Sequence, residues 1–415
     1  MKFFINSYFC DNQSIGLLSH IKKRLPYGMD DQWMVFSHYT ERGWTVDNLW
    51  HIFTDFYGGQ YAPLAFLSYL VLYAGFGYDP FYFHMFSLLL HIGCVCLVWK
   101  LISSLLRVHG GVSEKQILYV NFITTLLFAV HPINVEAVAW ISALKVLLYA
   151  FFYLLGLLCY LRYIRTSKIF YYVLTIGCFL CSFWGKEQAV TFPLALLIVD
   201  WFTNRNMKNL EVWSEKMSFL IMAFFFGIIT VLSQGKGPYE MIFPLYQRLL
   251  FGCFALVEYI TKSLLPVNLN FFYPFPIVLG EEPPLHYYLY PVVLLFLMGW
   301  IIAYRNNRYL VFGVLLFLVN LLFSIHLFNM SRHAIVADRY MYLSYVGIAF
   351  LIANGIWWLR KRLSYFKAAL VFLFFYCFFL SVYTFHYTKK RENTTMVKKY
   401  TKEVLEKRLN GSNHL

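Results

Sequence analysis

The feature that most limits this chain is a succession of apolar runs, each about as long as the hydrocarbon core of a bilayer is thick. A helix needs ~20 mostly apolar residues to cross that core. Ten stretches come close: 80–102, 116–131, 146–163, 169–184, 188–202, 217–233, 287–304, 309–327, 341–359 and 368–387. The loops between them are nearly all short. Hydrophobic residues make up 60% of the chain, charged residues 13%, and the mean hydropathy is +0.57. Soluble proteins run at about 45–50% apolar and 25% charged. A soluble enzyme, a disordered protein and a secreted disulfide scaffold are therefore excluded. A transmembrane barrel alternates apolar and polar residues in segments of ~10, and Val292–Ala303 does not alternate. The expected fold is an all-α polytopic membrane protein of about ten spans plus interfacial helices.

Loop charge gives the orientation, because Lys and Arg collect on the cytoplasmic side. Loops 100–115, 162–168, 203–216, 305–308 and 360–367 hold 15 Lys/Arg against 3 Asp/Glu, whereas 131–146, 185–187, 234–286 and 328–340 hold 7 of each. The first set is predicted to be cytoplasmic. That parity requires 248–265, which carries Arg248, Glu258 and Lys262, to lie at the interface rather than cross. Residues 61–76 read similarly: Pro63 opens an apolar stretch too short to span, closed by Gly75 and Gly77. Three regions follow: an extracytoplasmic first loop with an interfacial helix (1–79), the bundle with an extracytoplasmic loop at 234–286 (80–387), and a basic C-terminal tail (388–415) whose last ~15 residues suit an amphipathic helix. No stretch before Asp30 is long enough to span, and Met1–Arg24 lacks a signal-peptide core. Either an expected first span is missing or the true start lies upstream.

The net charge of +14 fits basic loops facing anionic lipid, so no nucleic-acid partner is expected. Cys94 and Cys96, and Cys178 and Cys181, sit in apolar runs without polar neighbours and read as buried thiols. His84 and His91 share one helix face and read as interhelical hydrogen-bonders. Soluble-enzyme signatures, a P-loop or a nucleophile elbow among them, are missing.

Charged groups near membrane depth are costly and tend to mark function. Several collect on the predicted outer side. Asp30 and Asp31 lie in the first loop. His131 ends the second span, Glu136 follows, and Lys145 opens the third. Lys186 and Glu187 sit between two apolar runs with almost no other loop. Asp338 and Arg339 precede the span 341–359. Each has a plain alternative: a solvated turn or cap for the aspartates, a minimal polar turn for Lys186-Glu187, a structural ion pair for Asp338-Arg339, a helix cap for Glu136. Their shared side is what carries information.

The order of motifs is distinctive: Asp30-Asp31; Tyr57-Gly58-Gly59-Gln60-Tyr61-Ala62-Pro63-Leu64; Phe83-His84 with His91; Phe128-Ala129-Val130-His131-Pro132 with Glu136; Lys186-Glu187-Gln188-Ala189-Val190-Thr191; and Ala337-Asp338-Arg339-Tyr340-Met341-Tyr342-Leu343. Over roughly residues 28–395 the chain resembles the GT-C class of integral-membrane glycosyltransferases. The resemblance is greatest to the tetratricopeptide-repeat-containing protein O-mannosyltransferases and their bacterial relatives. It implies a GT-C-like bundle and transfer of mannose or another hexose from a polyprenyl-phosphate-linked donor to a Ser or Thr hydroxyl at the outer face. It implies that Asp30 or Asp31 acts as catalytic base, and that Lys186 and Arg339 serve a phosphate site. Glu187, Asp338, His131, Glu136 and Lys145 are further candidates for substrate or phosphate binding. Some members of the class hold a divalent ion, but Glu136 and Glu187 complete no oxygen cage, so no metal is expected. The setting is a bacterial inner membrane, or the endoplasmic reticulum membrane in a eukaryote. The sequence departs from the family pattern at Val146, where an acid often follows the basic residue, and it shows no repeats before Leu415. A lipid or surface-polysaccharide acceptor is an alternative. A transporter or an inactive scaffold is a more distant one.

Overall fold

In the computed structural model the described residues are 31–234, 243–270, 272–278, 280–326 and 334–392. The described residues begin with four short helices: α1 (Asp31–Met34), α2 (His38–Glu41), α3 (Val46–Thr54) and α4 (Pro63–Phe76). Pro63 stands in the first turn of α4, where its missing N–H is not needed, and Gly77 ends the helix at φ +62°. Next come α5 (Pro80–His109), α6 (Glu114–Val130), α7 (Val135–Ala139), α8 (Leu144–Thr166), α9 (Ile169–Gly185), α10 (Phe192–Phe202), α11 (Leu210–Gln234) and α12 (Leu245–Leu264). The last four among the described residues are α13 (Leu289–Ala303), α14 (Arg308–Leu321), α15 (Met341–Trp358) and α16 (Leu363–Glu392). A two-stranded antiparallel sheet, β1 (Tyr273–Pro274) with β2 (Ala334–Val336), ties the segment after α12 to the one before α15.

The protein is an all-α multi-pass membrane protein. Each of the ten predicted spans coincides with a helix, but they are not equally long. Among the described residues, six helices have the length and composition to cross a bilayer alone: Pro80–His109, Ile141–Thr166, Leu210–Ser233, Leu285–Ala303, Asp338–Lys361 and Leu363–Lys389. The pair Glu114–Val130 and Pro132–Ala139, bent by 50°, makes a seventh if taken as one span. Helices α9 and α14 are apolar but shorter, and α10 has 11 residues. Hydropathy therefore locates these segments without fixing how far each one reaches. Helix α12 is not among the spanning candidates and carries its own Glu258–Lys262 ion pair at 3.2 Å. Helix α16 continues past residue 387 to Glu392; the tail from 393, with its predicted amphipathic helix, lies outside the described residues.

Helix α8 is the hub. It packs on α5 and α9 and is buried along most of its length. Small residues let its neighbours close in, as expected where packing rather than water drives association. A Cβ on Gly185 would lie 2.8 Å from the Tyr149 backbone nitrogen. Helices α14 and α15 also cross closely: a Cβ on Gly347 would stand 2.5 Å from the Gly313 carbonyl and 2.7 Å from the Phe317 nitrogen. Gly347→Ala is expected to force these helices apart and destabilise the protein by about 1–3 kcal/mol, read as a lower thermal midpoint in nanodiscs. Gly227→Ala, on the open side of α11 with nothing within 4 Å, supplies the control and is expected to show no loss. As predicted, His91 bonds between helices: its Nδ1 pairs with the Tyr342 hydroxyl at 2.7 Å, joining α5 to α15.

At the end of α8 remote from Lys145, buried charges bind three helices together. The Tyr160 hydroxyl donates to both Asp200 carboxylate oxygens at 2.8 Å. Arg205 reaches Asp200 at 3.1 Å and Glu215 at 2.6 Å, and Lys216 reaches Asp200 at 2.5 Å and Glu215 at 2.9 Å. Two of the cations assigned by sequence to a lipid-facing loop are thus engaged with two acids inside the protein.

Candidate active site

The candidate site forms where the N-terminal short helices meet the first turns of α8 and α15 and the end of α9. The bend after α6 prepares it. His131 caps that helix, accepts the Ile133 N–H at its Nδ1 at 3.2 Å, and rests on the Tyr345 ring with centroids 4.1 Å apart. His131 therefore shapes the bend that leads into α7, which carries Glu136. Between α7 and α8 a 3-10 turn, Ile141–Ala143, presents Ser142.

Asp31 is buried. Its Oδ1 accepts two hydrogen bonds from Ser142, one from the backbone N–H at 3.0 Å and a short one from the hydroxyl. Three residues further on, the buried Lys145 ammonium donates to the Gln60 side-chain oxygen and lies 3.7 Å from the Met34 sulfur. Asp31 of α1 is thereby anchored about one turn from Lys145, although 114 positions separate them in sequence. Asp30 lies outside the described residues.

Lys186 follows the last residue of α9 and is also buried, with its Nζ 4.6 Å from the centre of the Tyr340 ring. Burial lowers its pKa to about 8; Lys145 and Arg339 push the same way, against Glu187 and Tyr340. Lys186 thus titrates within the field of Lys145, Arg339, Glu187 and Tyr340, four residues drawn from three separate segments. Arg339 is clamped by Glu136: its backbone N–H and its Nη1 each donate to that carboxylate at 2.7 Å. Its guanidinium lies 5.2 Å from the ring centres of both Trp140 and Tyr340, a stacking arrangement suited to a planar cation.

Asp338 faces different partners. Its carboxylate accepts from the Tyr273 hydroxyl at 2.9 Å and from Tyr387 at 3.5 Å, which joins the turn before α15 to β1 and α16. Burial and this carboxylate push the Tyr273 hydroxyl far above its ordinary pKa, and the Lys262 ammonium sits 4.5 Å over the Tyr273 ring. Asp338 and Arg339, paired in the sequence, therefore have separate carboxylate and guanidinium partners. Among the described residues no three His, Cys, Asp or Glu side chains gather as metal ligands.

The sequence reading assigned no role to Ser142, Gln60, Trp140 or Tyr340. Trp140 and Ser142 fall between Glu136 and Lys145, so polar and aromatic residues flanked by two charges were the available signal. Gln60 and Tyr340 lay inside quoted motifs without a stated partner. The arrangement as a whole offers fixed cations for an anion, a buried carboxylate that accepts from Ser142, and aromatic faces, all at one end of a membrane bundle.

Fold and site together define a multi-pass membrane protein with a buried charged cluster at the helix ends. No protein-family model matches the chain, and no solved structure matches it. Among curated proteins it is related to the protein O-mannosyl-transferases. It is 33% identical over 189 residues to protein O-mannosyl-transferase TMTC2 of Homo sapiens, covering 41% of this chain and 21% of that protein. The mouse TMTC2 is 32% identical with the same coverage. Protein O-mannosyl-transferase Tmtc3 of Drosophila melanogaster is 28% identical over 172 residues, 37% of this chain and 18% of that protein. The chain spans about a fifth of the length of these relatives.

Proposed function

We propose that this protein is a glycosyltransferase that moves a hexose, mannose first among them, from a polyprenyl-phosphate-linked donor to a Ser or Thr hydroxyl at the outer membrane face. The observation that carries this reading is the convergence of Lys145, Lys186 and Arg339 on one place, with Asp31 anchored three residues from Lys145. The names of the relatives point to the same chemistry.

In the reaction, the acceptor oxygen bonds to the anomeric carbon while the bond from that carbon to the phosphate oxygen breaks. The phosphate leaves with the electron pair, and the hydroxyl proton passes to a carboxylate. Attack opposite the phosphate inverts the anomeric centre. The donor already carries its leaving group, so the protein must aim the hydroxyl and take up charge on the departing phosphate. Lys186 and Arg339, with Lys145 beside them, supply that charge at low dielectric. Asp31, held at Oδ1 by Ser142, suits the orientation of an acceptor, and Asp30 is assigned as base. The Lys/Arg asymmetry of the loops supports placing this end of the bundle on the outer side, with 1–79 and 234–286 on that side and the tail from 388 beyond the last span.

The test is transfer by the full chain in nanodiscs, with polyprenyl-phosphate-linked mannose as donor and a Ser/Thr-rich peptide as acceptor. Asp30→Asn and Asp31→Asn are each expected to lower the rate at least about tenfold. Undiminished transfer by both variants would remove the carboxylate from the mechanism. Glycolipid product in place of glycopeptide would move the acceptor to a lipid.

A further inference from the structure

The motif Tyr57–Gln60 has no part in the chemistry above, yet the structure puts it against two members of the site. Tyr57 and Gln60 exchange backbone hydrogen bonds at 3.1 Å in both directions. Gly58 and Gly59 between them both have positive φ, +59° and +71°, the setting of a tight primed turn that side chains resist. The turn presses directly on Trp33: a Cβ on Gly58 would stand 2.5–3.0 Å from three atoms of the indole six-membered ring. Trp33 lies two residues beyond Asp31 in α1. The next residue, Met34, contacts Lys145 through its sulfur, and Gln60 at the end of the turn accepts a hydrogen bond from the same ammonium. Aromatic packing anchors the turn, with the Tyr57 ring edge-on to His38, Tyr39 and Phe66.

We propose that the Tyr57–Gln60 turn is the positioning element of the transfer site: its glycine backbone seats Trp33, and its Gln60 oxygen holds the Lys145 ammonium, so that the acidic segment and the cation cluster keep one spacing. The proposal rests on the transferase reading above. A turn that only reversed the chain would need neither contact. The choice of an amide also matters. A neutral acceptor fixes an ammonium without cancelling its charge, whereas a carboxylate would form an ion pair and reduce the positive field offered to a phosphate. Gln60 and Gly58 are therefore positioning residues that act through Lys145 and Trp33.

Four variants of the full chain in nanodiscs test this: Gln60→Leu, Gln60→Glu, Gly58→Ala, and Gly58→Ala combined with Trp33→Leu. Two readouts are taken, kinetics with polyprenyl-phosphate-linked mannose and the peptide, and binding of polyprenyl phosphate by thermal shift. Gln60→Leu is expected to raise the donor KM by about tenfold, with a smaller change in kcat, because it removes the amide oxygen that fixes the ammonium. Gln60→Glu, nearly isosteric, is expected to lower kcat and to move the alkaline limb of the pH profile upward. Lys186 feels Lys145, Arg339, Glu187 and Tyr340, and the added carboxylate offsets the Lys145 contribution. Gly58→Ala is expected to lose activity about as strongly as Gln60→Leu, and removing the indole in the double variant is expected to restore part of it.

Donor KM and polyprenyl-phosphate affinity within twofold of the parent in both Gln60→Leu and Gly58→Ala would overturn the proposal. So would equal losses in Gln60→Leu and Gln60→Glu with no displacement of the pH limb, the result expected of a purely structural turn. If the parent protein transfers no sugar, the transferase reading fails separately. Binding then decides: weaker polyprenyl-phosphate binding by Gln60→Leu sustains the positioning role, and unchanged or absent binding ends it.

Discussion

Replacing Lys186 with methionine is expected to lower transfer by about 10²–10³-fold, the usual cost of deleting one preorganised partner of a developing anion. Methionine keeps most of the volume and removes the charge, so the stacking surface against Tyr340 survives. The lesion is then electrostatic. A loss below fivefold in kcat/KM for the polyprenyl-phosphate donor would place the departing phosphate elsewhere. The unmodified protein carries an independent signature of the same residue. Burial lowers the Lys186 pKa from its ordinary 10.5 to about 8, so the cationic form required at the phosphate is lost as pH rises past that point. The kcat/KM profile, which reports the free protein, should therefore fall above pH ~8. Stability should move in the opposite direction. Between pH ~8 and ~10.5 the unfolded chain holds a proton on Lys186 that the folded chain has released, so folding is favoured as pH rises through that window. Falling activity combined with a rising contribution to stability separates titration of this lysine from general alkaline damage.

The largest effect on stability is expected at the opposite end of α8. Lys216→Met removes one of two cations that neutralise Asp200 and Glu215, and leaves Asp200 buried with only Arg205 and the Tyr160 hydroxyl. Breaking one side of a buried ion network typically costs about 3–5 kcal/mol, because the abandoned carboxylate cannot return to water. The measurement is the thermal midpoint in nanodiscs. Replacing the partner as well, in Lys216→Met with Asp200→Leu, is expected to recover much of the loss, since a packed apolar pair often matches a buried ion pair. Equal midpoints for the parent and Lys216→Met would mean that the network contributes nothing net. Its distance from the candidate site makes this variant a control as well. Lys145 and Tyr160 are 15 residues apart on one helix, a rise of ~22 Å, so a loss of folding there need not track a loss of donor affinity.

The fold was largely legible because the membrane enforces it. Each apolar run became a helix, Pro63 and Pro80 opened helices, and Gly77 and Gly110 closed them. Reach was less legible. A run such as 309–327 meets the composition requirement for a span, yet its helix stops at Leu321, because the chain turns where the fold requires it. At the site, the charged residues stood out against an apolar background, so Lys145, Lys186, Glu136 and Arg339 could be found one at a time. Their pairings could not. Glu136 clamps Arg339 across 203 positions, Asp31 meets Ser142 across 111, and Lys145 meets Gln60 across 85. No local pattern encodes contacts at such separations. The divergence of Asp338 from Arg339 was hidden for the same reason, because neighbours in a 3-10 turn point in different directions and only the tertiary surroundings give each its partner.

Helix α13 has a consequence of its own. None of the side chains from Leu289 to Ala303 is buried against the rest of the protein. Its aromatic contact with the bundle is near its start, where the Tyr290 ring meets Phe254 of α12 with centroids 5.1 Å apart, so most of its other side chains are held mainly to being apolar. At exposed positions such as Leu295, Phe296 and Met298, exchange among Leu, Ile, Val and Phe should cost the fold little.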